Sequence, residues 1–302
     1  MMEDDFVGID GEMIQENSLH ALIDGDIICH SVASAADGKY YRVLDGCKRP
    51  TFKKAADAEI YLQNLGLSTL WRETIYLPDP VENCLHSVKL MVKSILEGCS
   101  TNVYTIFISG TDNFRYRVSE TYKANRREIH RAYHLEACKQ YLIDRFNAIV
   151  VHGVEADDAM GITQCTSKPL TTIIATIDKD LDMIPGLHFR WSCGGSEPRI
   201  YQQDSLSAVR CFMKQLITGD KTDNIEGLSE KSPSKRTYLT DKIDELSTVQ
   251  EMSDYVVSGY FLKYKSLDKA RKMLDRESAL LWILRDCKEI VVESPNHRRY
   301  LI

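Results

Sequence analysis

Thr171-Thr172-Ile173-Ile174-Ala175-Thr176-Ile177-Asp178-Lys179-Asp180 is the stretch whose reading decides the fold. A continuous apolar run rich in β-branched residues predicts a strand buried on both faces, as in a parallel sheet. It ends on two carboxylates one residue apart, a spacing that turns both to the same side of an extended chain. The pattern recurs. His20 to Ile23 predicts a short strand running into Asp24-Gly25-Asp26. Val103 to Ile108 predicts a strand followed by Asp112. Ala148 to Val151 predicts one followed by Glu155-Ala156-Asp157-Asp158. Helices are predicted after Asp24, over Val81 to Leu96, over His134 to Phe146 and over Glu155 to Gln164. Alternating strands and helices predict an α/β fold: a central, mainly parallel sheet flanked by helices. Ligands of such sheets bind at the carboxyl ends of the strands, where Asp24, Asp112 and Asp178 stand.

Taken singly, these acids have bland explanations. Asp24 is a good helix N-cap, and Glu155, Asp157 and Asp158 suit the positive end of a helix dipole. Asp220 and Asp223, in Gly219-Asp220-Lys221-Thr222-Asp223-Asn224, would brace a turn. Asp182 and Asp204 read as a surface acid and an N-cap. Jointly, carboxylates at successive strand ends would meet at one sheet edge and repel each other. Divalent, oxygen-seeking cations relieve such repulsion, Mg²⁺ above all where phosphate is the substrate. The acids therefore predict a metal-dependent enzyme acting on phosphodiesters. The segment Thr121-Tyr122-Lys123-Ala124-Asn125-Arg126-Arg127 adds cations that hold phosphate and an aromatic ring that stacks on a base.

Composition excludes several classes. The chain has 302 residues, 43% hydrophobic and 27% charged, as in an ordinary soluble globular protein. No apolar run reaches the length of a membrane span. The acidic start Met1-Met2-Glu3-Asp4-Asp5-Phe6 lacks an apolar signal core, so a cytoplasmic protein is expected. Nine scattered cysteines without a Cys-x-x-Cys pair speak against structural zinc and a disulfide framework. The net charge of −6 does not exclude nucleic acid, because binding follows local patches. Arg115, Arg117, Lys123, Arg126, Arg127 and Arg131 form such a patch.

Two regions are expected. Residues 1–203 form the α/β domain, with an insertion at about 38–80 and a basic, arch-like segment at about 113–134. Within the insertion, Lys39 to Val43 reads as a strand, Asp45-Gly46 as a turn, and Lys53 to Asn64 as a helix with Ala56, Ile60 and Leu65 apolar. Its Lys48, Arg49, Lys53 and Lys54 are assigned a modest DNA role. Residues 204–302 read as helices only: Ser205 to Ile217, Val249 to Tyr264 and Ser266 to Arg285.

Taken in order, Ile23-Asp24-Gly25-Asp26, Asp112, Tyr122-Lys123-Ala124-Asn125-Arg126, Glu155-Ala156-Asp157-Asp158-Ala159, Thr176-Ile177-Asp178-Lys179-Asp180 and Gly219-Asp220-Lys221-Thr222-Asp223-Asn224-Ile225 resemble the bacteriophage and bacterial 5′→3′ exonuclease/flap endonuclease family. The match spans roughly residues 20 to 240. The resemblance implies a PIN-like nuclease sheet with a C-terminal, helix-turn-helix-like DNA-binding module. It implies Mg²⁺-dependent, two-metal hydrolysis leaving 5′-phosphates, with Mn²⁺ as substitute. Asp24, Asp112, Glu155, Asp157 and Asp158 would gather at one metal, and Asp178, Asp180, Asp220 and Asp223 at the other, with Asp26 adjacent. Asp24, Asp158, Asp178, Lys123 and Arg126 would be catalytic, the two bases at the scissile phosphate, and Tyr122 would stack on the terminal nucleotide. Arg115, Arg117, Arg127, Lys231, Lys235 and Arg236 would bind DNA carrying 5′ ends or flaps. A role in phage-type replication, recombination or primer removal is implied, with replication proteins as partners. The chain departs from the family after Gly227-Leu228. Ser229-Glu230-Lys231-Ser232-Pro233-Ser234-Lys235-Arg236 reads as a basic loop without the glycines of a K⁺-holding hairpin, which sets that site in question. The segment between Tyr122 and His134 is also short for threading long flaps. Two other readings stand beside this one: a nuclease whose main task is RNA in RNA–DNA hybrids, and a DNA-binding accessory protein without catalysis.

Overall fold

The computed structural model describes residues 19–44, 49–68, 71–128, 130–228 and 233–289, without the side chains of 127, 128, 233 and 234. The Asp45-Gly46 turn, Lys48, Lys231 and the Arg127 side chain lie outside the described residues.

The chain is α/β around a six-stranded sheet. Strands β1 (His20–Asp24), β5 (Val103–Asn113), β6 (Ile149–Gly153), β7 (Thr172–Ala175), β8 (Gly186–Arg190) and β9 (Arg199–Gln203) lie in the order β6-β5-β1-β7-β8-β9. All neighbours are parallel except β8 and β9. β1 is central: Asp24 pairs with Phe107 and Ile23 with Ala175, so the strand ends carrying the acids are level.

Alternation along β1 sorts the two faces. Ala21 and Ile23 join a core with Ile106 and Ile108 under helices α1 (Gly25–Ala36), α3 (Val81–Gly98) and α5 (Leu135–Phe146), which contribute Ile28, Val88, Val92 and Leu142. Leu22 points the other way, to Phe107, Ile174 and Met160 of helix α6 (Ala156–Thr166). α1 starts hard against β5, and Gly25 makes this possible, since a Cβ there would lie 2.7 Å from the Phe107 carbonyl oxygen.

The insertion is a separate antiparallel sheet in the order β3-β2-β4, built from β2 (Asp37–Val43), β3 (Thr51–Phe52) and β4 (Arg72–Pro78). Helix α2 (Ala55–Asn64) covers one face. The expected apolar face of α2 is corrected: Ala58 and Leu62 are buried against Val43, whereas Ile60 and Leu65 are exposed and Ala56 faces solvent. The edge strands β4 and β9 were not anticipated, because Arg72-Glu73-Thr74 and Arg199-Ile200-Tyr201-Gln202-Gln203 are too polar to announce strands, and neither were the two-residue β3 and the inner strand β8.

After the one-turn helix α4 (Arg115–Val118) and a 3₁₀ turn at Ala124–Glu128, the remaining helices come late: α7 (Ser205–Thr218), α8 (Pro233–Glu245), α9 (Val249–Tyr264) and α10 (Leu267–Leu281). The supposed basic loop is corrected in part. Lys235 and Arg236 lie on α8, where Pro233 suits the first helical turn. The late helices share a core of Phe212, Leu216, Met252, Val256, Tyr260 and Leu274, which also takes in Tyr122 and Met183.

Candidate active site: an acid cluster under a basic segment

Asp24 caps α1. Its Oδ1 accepts from Ile27 N at 3.0 Å and its Oδ2 from Thr176 Oγ1 at 2.8 Å. The carboxylate is 1% exposed. Burial pushes it up to about 7, against those hydrogen bonds, and the charges of Asp26 and Asp178 add to the shift. Asp157, in the first turn of α6, is crowded by protein yet keeps part of its surface open. Burial, then Asp24, Asp178 and Glu155, raise its pKa well above the ordinary carboxylate range. Among the described residues no hydrogen-bond or ion-pair partner meets Asp157. Asp178 follows β7, and its Oδ1 accepts from Asp180 N at 2.9 Å. Burial, with the Asp178 charge next, lifts Asp180 to about 6, and Asp220 adds to this. The structure thus brings Asp24, Asp157, Asp178, Asp180 and Asp220 into one electrostatic neighbourhood, with Asp178 common to both ends of it.

Glu155 and Asp223 belong to the rim of that neighbourhood, where the basic segment lies. Lys123 Nζ pairs closely with Glu155 Oε1 and lies 3.7 Å from Asp223 Oδ2. Arg126 pairs closely with Asp223 Oδ1. Burial opposes the Lys123 charge, but Glu155 and Asp223 outweigh it and raise the pKa. Lys123 takes a left-handed backbone, φ 54°, and its N donates to Asp223 O at 3.1 Å. That conformation costs on the order of 1 kcal/mol and aims the ammonium at the acids.

Four expected placements are corrected. Asp158 is fully buried, and its oxygens are taken by the protein: Arg115 Nη1 at 2.6 Å, Arg115 Nη2 at 2.8 Å, Glu155 N at 3.0 Å and Leu284 N at 3.0 Å. No lone pair in good geometry is left for a cation. Arg115, expected on the DNA surface, is 2% exposed and also donates to the carbonyls of Leu280 and Trp282. Tyr122 is 3% exposed, with its hydroxyl 3.0 Å from Asp223 Oδ2 and 3.1 Å from Glu155 Oε2, so its ring offers no stacking platform. Asp112 lies in the irregular stretch of β5 between Ser109 and Asn113, exposed and 2.9 Å from His152 Nδ1. Asp26 is also engaged, by Ser109 N at 2.8 Å and by Lys139. Arg117 is exposed.

Sequence reasoning missed Thr176, Ser109 and Lys139, which orient or pair with the acids. Only Thr176, two residues before Asp178, carried a hint.

Oxygen donors alone suit a hard divalent cation. Among the described residues no three His, Cys, Asp or Glu side chains converge tightly enough to grip an ion as they stand. The acids are neighbours, and their mutual repulsion, with no ion-pair partner at Asp157 among the described residues, is what a bound cation would remove.

No family model and no curated protein matches the chain. Several solved structures are similar to it at low identity. One is the bacteriophage T5 flap endonuclease in complex with DNA and metal ions, at 14% identity and TM-score 0.43, covering 87% of this chain and 98% of that one. Another is a substituted T5 5′-exonuclease, at 14% identity and TM-score 0.41, covering 88% and 100%. A third is the catalytic core of Rad2 in complex with DNA substrate, at 12% identity and TM-score 0.43, covering 86% and 74%.

Proposed function

We propose that this chain is a divalent-metal-dependent nuclease acting from 5′ ends and at 5′ flaps of DNA, a member of the 5′→3′ exonuclease/flap endonuclease family. The observation that carries the reading is the meeting of Asp24, Asp157 and Asp178 beside the Lys123 and Arg126 cations. Bare carboxylates would repel a phosphodiester. The site acts on one only with cations on both sides of it, and the chain supplies one side.

Asp24, Asp157, Asp178, Asp180 and Asp220, with Glu155 and Asp223 at the rim, would hold Mg²⁺, two ions in the fullest form of the reading, with Mn²⁺ as substitute. When bound, the metal supplies Lewis acidity toward phosphate oxygens and makes water a stronger nucleophile at neutral pH. The protein's own part is positional. Lys123 and Arg126 hold the scissile phosphate and oppose the charge that builds on it as the bond breaks. Thr176 and Ile27 N fix the Asp24 carboxylate, and the Arg115–Asp158 pair fixes the start of α6, and with it Glu155 and Asp157. The product would carry a 5′-phosphate, as primer removal or end trimming in replication requires.

The test uses a 5′-flap duplex labelled at the 3′ end of the flapped strand, incubated with Mg²⁺ and, as control, EDTA. A ladder shortening from the 5′ end supports exonuclease action, and a dominant cut near the junction supports flap cleavage. Absence of any Mg²⁺-dependent product from this duplex and from a matched RNA–DNA hybrid would overturn the reading.

A further inference from the structure

The turn that carries Lys123 and the loop that carries Asp223 are clasped together by reciprocal contacts. Asn125 Nδ2 donates to Lys221 O at 2.7 Å, and Asn224 Nδ2 donates to Thr121 O at 2.9 Å. A further bond joins the same two stretches, from Lys123 N to Asp223 O at 3.1 Å. Each stretch thus sends an asparagine to a carbonyl of the other. In each, that carbonyl stands two residues before the charged group: Thr121 before Lys123, and Lys221 before Asp223. Both acceptors are carbonyls, so only the amide nitrogen of either asparagine can face them.

The clasp sits where the backbone is least favourable. Lys123 has φ 54° and Asn224 has φ 61°, both left-handed. Asparagine tolerates that region, and lysine has no such preference. A strained residue of this kind persists only where its surroundings over-determine it. Freed of the clasp, Lys123 would relax to an ordinary φ and swing its ammonium away from Glu155 and Asp223. The rest of the basic segment has anchors of its own. Before the turn, Arg276 of α10 donates through Nη2 to Ser119 Oγ at 2.6 Å. Beyond it, His130 Nε2 lies 2.7 Å from Asp37 Oδ2, and the His130 ring lies flat on Tyr76 of the inserted sheet, centroids 3.7 Å apart. What the asparagines add is the setting of the Lys123 turn. Both are exposed, and an exposed hydrogen bond adds little to stability. Their place points to alignment of the site rather than to folding. Both are also neutral. A cationic donor in either position would compete with Lys123 and Arg126 for Asp223, whereas an amide leaves the charges of the site as they are.

We propose that Asn125 and Asn224 are positioning residues for the cleavage reaction, holding the Lys123 turn on the Asp223 loop so that the phosphate-binding cations and the metal-binding carboxylates are set as one unit. This rests on the nuclease reading and deepens it.

The test is single-turnover cleavage of the 5′-flap duplex in Mg²⁺ over a range of protein concentrations, which separates the plateau rate from half-saturation. Asn125→Ala and Asn224→Gly are measured singly and on Lys123→Ala; glycine keeps the left-handed backbone open at 224. Each single variant is expected to lower the plateau rate about tenfold, the upper end of what one hydrogen bond is worth. Half-saturation and melting temperature should stay at wild type. On Lys123→Ala the same substitutions should cost only about twofold, because the group they place is gone. Wild-type plateau rates in both single variants would overturn the proposal. So would a loss confined to half-saturation, which would make the asparagines DNA contacts. So would an undiminished tenfold loss on Lys123→Ala, which would make them supports of the loop and not of Lys123. A wild-type chain that shows no Mg²⁺-dependent cleavage would overturn the nuclease reading and this inference with it. Cleavage by wild type together with any of the three preceding results would overturn the positioning role alone.

Discussion

Asp158 and Arg115 close a two-pronged ion pair that water does not reach, with 0% and 3% of their side chains exposed. The same arginine holds two carbonyls of the Leu280–Trp282 stretch, and the same aspartate holds Leu284 N. The chain after α10 is thereby tied to the start of α6, directly behind Asp157.

Neighbouring acids should then fail in different ways. Asp158→Ala strips the buried Arg115 guanidinium of its two-pronged partner and, among the described residues, leaves it only Glu155 Oε2 at 3.6 Å as a counter-charge, a loss of about 3 kcal/mol, and its melting temperature should fall sharply with or without metal. Asp157→Asn replaces a carboxyl whose ionisation burial and the neighbouring acids oppose. It should melt at or above wild type in EDTA while losing nearly all Mg²⁺-dependent cleavage. Thermal melts of both variants, run beside the flap assay, check this; a wild-type melt for Asp158→Ala would contradict the structural assignment.

Lys123 raises a second contrast. Its ammonium neutralises Glu155, a carboxylate proposed for the metal, so lysine and metal compete for one group. Lys123→Ala should bind Mn²⁺ about three- to tenfold more tightly and yet cleave about 10²-fold more slowly, because a phosphate-stabilising cation is gone. Calorimetric Mn²⁺ titration reads the first effect and single-turnover cleavage the second. Weaker Mn²⁺ binding by the variant would show that Lys123 supports the metal site.

These contrasts also mark what the sequence could and could not disclose. The strand ends at Asp24 and Asp178 were legible, because buried parallel strands are continuous apolar runs and the acids follow directly. The order of strands, with β1 central, was not, since pairing partners leave no local pattern. Asp157 and Asp158 are adjacent and chemically identical, and only the three-dimensional position of Arg115 separates them. Tyr122 sits within a basic run and reads as exposed, yet the late helices bury its ring. Lys139 gave no sign at all, because its partner Asp26 lies over a hundred residues earlier in the chain. The α2 face was misplaced because Ala55-Ala56-Asp57-Ala58 offers several apolar registers of similar quality.

Protonation of the acids gives a pH prediction. Asp24 at about 7, Asp180 at about 6 and the raised Asp157 all lie above the ordinary value of 3.8. For an acid whose folded pKa is raised, the folded form holds the proton more tightly. Its stability contribution is complete below the unfolded pKa and is lost as pH climbs to the folded one. His20, His30 and His188, lowered by burial, act in the opposite sense below about 6.5. The Asp24 part is isolated by difference. In EDTA the melting temperature of wild type minus that of Asp24→Asn should decline from about pH 4 to about pH 7 and then level. Metal must displace those protons, so the Mg²⁺-induced rise in melting temperature should grow over the upper part of the same window. A difference that increases with pH would contradict the raised Asp24.

Gly219 gives the sharpest steric case. It ends α7 with φ 65° and ψ −172°, a conformation that side chains other than hydrogen scarcely adopt. A Cβ there would lie 2.3 Å from Ile225 O and 2.5 Å from Glu226 C, both backbone atoms that cannot swing away. The loop it starts is closed by Asp220 N to Ile225 O at 2.9 Å and Ile225 N to Asp220 O at 2.7 Å, and it presents Asp220 to Asp180 and Asp223 to Lys123 and Arg126. Gly219→Ala should therefore move both carboxylates while leaving every acid and base in the chain. A displacement of about 1 Å costs on the order of 10²-fold in rate. Cleavage should fall by about that factor, with single-stranded DNA affinity in EDTA reduced much less. Because Asp220 and Asp223 are carboxylates proposed for the metal, moving them should lower Mn²⁺ affinity in Gly219→Ala, opposite to the change expected for Lys123→Ala. Wild-type cleavage by Gly219→Ala would remove Asp220 and Asp223 from the proposed site and leave the metal to Asp24, Asp157, Asp178 and Asp180.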